Sequence, residues 1–193
     1  PGGREFDSKE GGARNGGAAP VTPNAAQLNA PRLVFDAAID CDYEIYANKF
    51  AGDLPAATNY ILTVLATSSL IYERDLEFTL RISYLNLWTR SDDPYTQGTT
   101  DLELTEYRNY WNTYRTGVPR SIAHMISGRA LGGGRAYISG GCNGTSGYGV
   151  GAIDANYNDP TNTTTWDIEV IPPGLGRGFG SFPTPPRTGA DPR

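Results

Sequence analysis

The sequence predicts an α/β domain, and three observations carry the expectation. Apolar residues alternate with polar ones in two stretches and recur every three or four positions in two others. Strand and helix patterns then take turns along the chain before a glycine-flanked apolar segment. At 193 residues the chain has the length of one domain and can bury a core.

The first strand comes from Leu33, Phe35, Ala37, Ile39 and Cys41, which share one face while Asp36 and Asp40 lie on the other. A long amphipathic helix follows, its stripe formed by Leu54, Ala57, Ile61, Val64, Leu65, Ser68, Ile71 and Tyr72. Pro55 falls in its first turn, where a missing N–H removes no bond. Leu76, Phe78, Leu80, Ile82 and Tyr84 then alternate with polar residues before the phase shifts to Leu85 and Leu87, which predicts a second strand with a bulge. Asp92-Asp-Pro-Tyr95 breaks the chain. Leu104, Tyr107, Trp111 and Tyr114 make a second helical stripe that Gly117 and Pro119 end. Ile122 to Ile126 reads as a short helix or loop. Ala136-Tyr-Ile138 after Gly132-Gly-Gly134 reads as a short strand that presents backbone, and a glycine-rich stretch runs on to Gly151. Trp166 to Ile171 opens like a helix, with Asp167 and Glu169 suited to a first turn, and then fails.

Residues 1–31 hold only scattered apolar side chains among Gly, Ala and Pro, too few to offset ordering entropy, and are expected to be a disordered linker. The domain is expected over 32–181, followed by a disordered proline-rich tail over 182–193. Net charge is -5, which argues against nucleic-acid or anionic-membrane partners. No run of about 18 apolar residues reads as a membrane span. Two cysteines, Cys41 and Cys142, are too few for a disulfide framework or a metal cluster. Asn143-Gly-Thr145 and Asn162-Thr-Thr164 fit the glycosylation pattern, which matters only in a secreted chain.

The element order is similar to that of the upper subdomain of the metzincins. The chain resembles their reprolysin or adamalysin branch in Leu33 to Ile39, in Leu87-Trp-Thr89, in Tyr107 to Trp111, and in His124 followed by the glycine-flanked segment to Ile138 and then Cys142. The resemblance covers roughly residues 32–181. It implies a mixed twisted sheet with long helices, and an upper subdomain truncated at the active-site helix. It also implies an extracellular or cell-surface zinc endopeptidase ancestry, in which zinc-activated water hydrolyses peptide bonds and substrate adds as a strand along an edge. The matching edge positions are Gly134, Arg135 and Ala136.

In such proteins the active-site helix reads H-E-x-x-H-x-x-G-x-x-H, with three histidines on zinc and the glutamate as general base. Here, with Gly180 as the motif glycine, the ligand positions hold Pro173, Arg177 and Pro183 and the general-base position holds Gly174. Leu175, Gly176, Phe179, Gly180 and Ser181 keep the framework. His to Pro, His to Arg and Glu to Gly are each one second-position codon change from A to C or G, a correlated pattern expected of a decayed gene copy or of a misread GC-rich stretch. No catalytic residue and no zinc are therefore expected in this chain. The glycines make the helix itself doubtful. Two functions stay open: a metalloendopeptidase lineage decayed at its site, or a non-catalytic module that binds peptides or proteins.

Other residues receive plainer readings. His124, the single histidine, is expected to cap or hydrogen-bond near a helix end. Asp36, Asp40, Asp42 and Glu44 could supply oxygens to calcium, with a solvated face preferred. Gly132 to Gly134 lacks the lysine and helix of a phosphate loop and reads as an edge strand. Trp88, Tyr107, Tyr110, Trp111 and Tyr114 read as core and rim rather than as a stacking platform.

Overall fold

The computed structural model describes residues 33–137, 146–157 and 166–178. The predicted linker 1–31, the predicted tail 182–193, Cys142, both glycosylation patterns and Pro183 lie outside the described residues.

Among the described residues, five strands form one mixed sheet in the order β2-β1-β3-β5-β4. They are β1 (Leu33–Cys41), β2 (Phe78–Leu87), β3 (Ile122–Ser127), β4 (Gly134–Ala136) and β5 (Tyr148–Ala152). The first four in spatial order run parallel, and β4 closes the edge antiparallel to β5. Three α-helices flank the sheet: α1 (Leu54–Asp75), α2 (Thr100–Tyr114) and α3 (Trp166–Gly178). The expected bulge is present. Ala37 faces Ile82 while Ala38 faces Tyr84, so Ser83 is the extra residue.

Two cores result, one on each side of the sheet. Ile39, Cys41, Ile122 and Ile126 pack with Ile61, Val64 and Leu65 of α1 and with Ile171 and Leu175 of α3. Ala38, Ala123, Met125 and Val150 pack with Leu104, Tyr107 and Trp111 of α2. Asp53 caps α1 by accepting from Ala56 N at 2.9 Å, and Pro55 sits in its first turn. Thr99 caps α2, with Asp101 and Glu103 in the first turn. Tyr114, at the end of the predicted stripe, is 67% exposed and belongs to the rim.

Three expectations need correction. Ile122–Ser127 is a central strand, neither helix nor loop; all six residues are buried, so the period-two signal is erased. The glycine-rich stretch contains β5, also buried throughout, where Gly149 and Gly151 let neighbouring groups approach closely. The helix that fails at Ile171 by propensity continues to Gly178 through Pro172 and Pro173. Burying Val170, Ile171 and Leu175 stabilises by about 2 kcal/mol each, the same order as the roughly 3 kcal/mol an interior proline costs. The carbonyl of Pro172 also accepts the Tyr72 hydroxyl of α1. Tertiary packing overrides local preference here. By length and mean composition alone α1 could cross a bilayer, a test that a buried core helix also passes. In the fold its Ala57, Ile61, Val64, Ser68 and Tyr72 are buried.

Candidate functional site

The arrangement starts from how α3 is held. Asp167 in its first turn accepts from Asp154 N at 2.8 Å, from Ala155 N at 3.0 Å and from the Tyr60 hydroxyl. The Trp166 indole donates to Ala152 O at 3.2 Å. These bonds tie the helix start to the end of β5 and to α1. A place in the first turn, near the unpaired N–H groups of the helix start, also suits the Asp167 charge. With that end fixed, the 3.6-residue period turns Ile171, Gly174 and Leu175 into the core and leaves Pro173 exposed. Arg177 follows one turn later, half-buried on the same side.

Beside α3 lies the end of the sheet. Gly132 at φ +82° and Gly133 at φ +127° turn the chain into β4, a conformation that side chains with a Cβ rarely adopt. Ala152 N donates to Gly133 O and Tyr137 N donates to Tyr148 O, both at 3.0 Å. Alternation along an antiparallel ladder then leaves the N–H and C=O of Gly134 and Ala136 directed away from β5. β4 is the last strand of the sheet, and these groups form its outer edge. Arg135 directs its side chain to Asp101 at 2.5 Å, an exposed pair of small energetic weight. Gly134 meets α3 directly: a Cβ there would stand 2.9 Å from Val170 Cγ1. The predicted edge residues and the predicted ligand positions therefore lie on two elements in contact.

The donor set on α3 does not fit zinc. Proline and glycine offer no side-chain donor, and a guanidinium brings permanent positive charge to the place of the cation. Among the described residues no three His, Cys, Asp or Glu side chains gather as a metal site.

The remaining candidates separate from this region. His124 caps no helix. It sits in the middle of β3, fully buried, and among the described residues neither ring nitrogen has a hydrogen-bond partner, so the expected role is corrected. The acidic residues share no solvated face and no calcium geometry. Asp36 pairs with Arg81 at 2.5 Å. Asp40 is fully buried and accepts from Asn86 Nδ2 at 2.8 Å, Trp88 Nε1 at 3.1 Å, the Tyr95 hydroxyl at 2.5 Å and Trp111 Nε1 at 3.2 Å. Asp42, also buried, accepts from Ser127 Oγ, from Gly128 N at 2.9 Å and from Arg129 Nε at 3.2 Å. Burial pushes both carboxyls up, and the donors around them pull back. Glu44 lies 3.8 Å from Arg129, whose other end holds Glu103 at 2.8 Å. Cys41 is a free, buried thiol, which burial pushes up and makes unreactive. The aromatic residues line the α2 core, as expected, with Trp88 and Tyr110 at its margin.

Sequence reading missed the Asp40 and Arg129 networks. The available signal was chemical: an acidic residue on an otherwise apolar central strand must find donors if buried.

No curated protein matches the chain. A chain in a solved structure described as "Structure of a chaperone-substrate complex" is similar at 16% identity with a TM-score of 0.50, over 64% of this chain and 21% of that one. The present chain thus spans about a fifth of that relative's length. The likeness is one of fold. The family described as Metallo-peptidase family M12B Reprolysin-like matches residues 58–170, more than half of the chain, from early α1 to Val170. That span holds β2, α2 and the β4 edge in the order the resemblance implied, together with the strands β3 and β5. The chain belongs to the reprolysin-like M12B metallopeptidases, a zinc-dependent family of the metzincin type.

Proposed function

We propose that this domain binds extended peptide or protein segments along β4 and does not cleave them. One observation carries the reading: the outward side of α3 bears Pro173 and Arg177, one turn apart, where the family's chemistry needs two zinc-binding imidazoles. Gly174 occupies the motif position of the family's general base and has no side chain to activate water. Without a metal and without a base, the attacking hydroxide has no source at neutral pH. The outer edge of β4 supplies main-chain donors and acceptors at Gly134 and Ala136, which is what strand addition by a peptide uses. Affinity then comes from backbone pairing, and Arg135 contributes only through its pair with Asp101.

The protein is a pseudoprotease under this reading, decayed at the site and retained or tolerated as a binding module. Its place is extracellular or at the cell surface, as is general for the family. The test combines two measurements on the same purified chain. Hydrolysis of a broad peptide library should not exceed a buffer control with added zinc, while unstructured peptides should bind with micromolar affinity and shift backbone amide resonances of 134–136. Zinc-dependent turnover sinks the non-catalytic half of the proposal. Absence of any amide shift at 134–136 sinks the binding half. Sequencing of the transcript over 171–193 should return proline, glycine, arginine and proline codons at 173, 174, 177 and 183.

A further inference from the structure

His124 occupies a socket made of backbone. A Cβ at Gly149 of β5 would stand 2.5 Å from its Nδ1, one at Gly174 of α3 would stand 2.7 Å from its Cε1, and one at Gly151 would stand 3.3 Å from its Nε2. Three glycines from two elements therefore let sheet and helix close on one imidazole. The ring is fully buried, and among the described residues neither nitrogen meets a hydrogen-bonding group. Charge has no partner there. From β1 the paired neighbour is Ile39, with the Cys41 thiol two residues along on the same face. β5 and α3 present Gly149, Gly151, Ile171 and Gly174, and β4 presents Ala136 beside Gly149. The charged groups of α3 are Asp167, committed to Tyr60 and the 154–155 backbone, Glu169, which is exposed, and Arg177, on the outward side.

We propose that His124 is an acid-sensitive latch for α3: the neutral ring seats the helix on the sheet, and a proton on the ring releases the helix from β3 and β5. A charged imidazolium needs two acceptors, and this socket offers none, so protonation and docking exclude one another. Burial alone pushes the ring down to about 3 from its ordinary 6.5. The sign is fixed by that depression. With α3 released the ring meets water and recovers a value near 6.5, so the released state takes up the proton. Docking is at full strength above about pH 6.5 and weakens as pH falls from there toward 3, with the opening equilibrium rising up to about tenfold per pH unit. Glu103, raised by burial in the other core, has the opposite sign and cannot produce this loss. Release would also withdraw Val170 from Gly134 on the peptide edge. That consequence rests on the binding reading above; the latch does not.

The test uses the fact that the chain has one histidine. The chain, labelled at histidine carbon, is titrated by NMR from pH 8 to pH 4 while hydrogen exchange is followed at 171–178 and at 78–87, corrected for intrinsic rates. The latch predicts that the docked-state ring signal does not move through pH 6.5. It predicts that exchange at 171–178 accelerates about tenfold per pH unit below 6.5, ahead of 78–87, and that His124→Gln abolishes this acceleration. A ring that titrates near 6.5 with 171–178 still protected overturns the proposal. So does His124→Gln showing the same acceleration as the unmodified chain. If His124→Gln does not fold, the ring titration and exchange of the unmodified chain decide.

Discussion

Trp111 on α2 donates its indole N–H across the sheet interface to Oδ2 of Asp40 on β1, at 3.2 Å. The other oxygen of the same carboxylate takes the indole of Trp88 at 3.1 Å. Two tryptophans spaced far apart in sequence are thus explained by one buried anion. The carboxylate fixes where β2 ends and how α2 lies on the sheet. Removing it takes the acceptor from Asn86 and Trp88 at the margin of this core and from Tyr95 and Trp111 in its closed interior. Asp40→Ala should therefore destabilise the fold by about 3 kcal/mol in urea titration, whereas Asp36→Ala, which loses only an exposed arginine pair, should cost under about 1 kcal/mol. Equal losses would show that Asp40 does not organise this core.

Glu103 gives a pH dependence of opposite sign to that of His124. Burial raises its carboxyl to about 7 from 4.5, although Arg129 pulls it down. A folded-state value above the unfolded one favours folding below about 4.5 and loses that contribution as pH rises through about 7. Glu103→Gln removes this titration. The stability difference between the variant and the unmodified chain should shift in favour of the variant between pH 5 and pH 8, by about 1 to 3 kcal/mol. A difference that is flat across this range contradicts the assignment.

The β4 edge can be tested without disturbing its inner ladder. The N–H of Ala136 points outward while those of Tyr137 and Ala152 serve the β4–β5 ladder. Ala136→Pro should abolish peptide binding at the edge and change the stability of the chain by less than about 1 kcal/mol, since proline is tolerated on an edge when its missing donor faced outward. Arg135→Ala should leave peptide affinity within about twofold, because its side chain pairs with Asp101 and its pair is worth little. Undiminished binding to Ala136→Pro would place the peptide elsewhere.

Histidines at 173 and 177 should turn the outward face of α3 into a two-ligand metal site. Pro173→His with Arg177→His places imidazoles one turn apart on that face, the spacing that lets two side chains reach one ion. Zinc at about five times its dissociation constant should then stabilise the variant by about 1 kcal/mol. The unmodified chain should show no zinc-dependent shift. A variant that also ignores zinc would mean that 173 and 177 do not share a face.

The legible and illegible parts of the fold divide by what each residue meets. The periodicity of α1, β2 and α2 was readable because each has contrasting faces, that of β1 because Asp36 and Asp40 mark one face although residues 37–41 are all buried, and even the Ser83 bulge left its trace in the shifted phase. β3 was not readable because Ile122 to Ser127 is buried on both sides and carries no contrast. β5 was hidden by Gly149 and Gly151, which local preference assigns to loops and which the fold uses for contact with His124. α3 was readable only to Ile171, because local preference stops a helix at Pro172 while Val170, Ile171 and Leu175 hold it in the core. At the site, the exchange of chemical residues at 173, 174 and 177 needed only the residue types. The burial of Asp40, Asp42 and His124 needed the partners, which lie tens of positions away in sequence.

The central claim is that this reprolysin-like domain has no place for the family's metal, and metal content of the purified chain tests it most directly. The chain is expressed in zinc-supplemented medium, passed through a desalting column and assayed for zinc by elemental analysis, with and without prior chelator treatment. The account predicts zinc far below one ion per chain and a stability that the chelator does not change. Zinc near one ion per chain, removed by the chelator with a drop in stability, would contradict it.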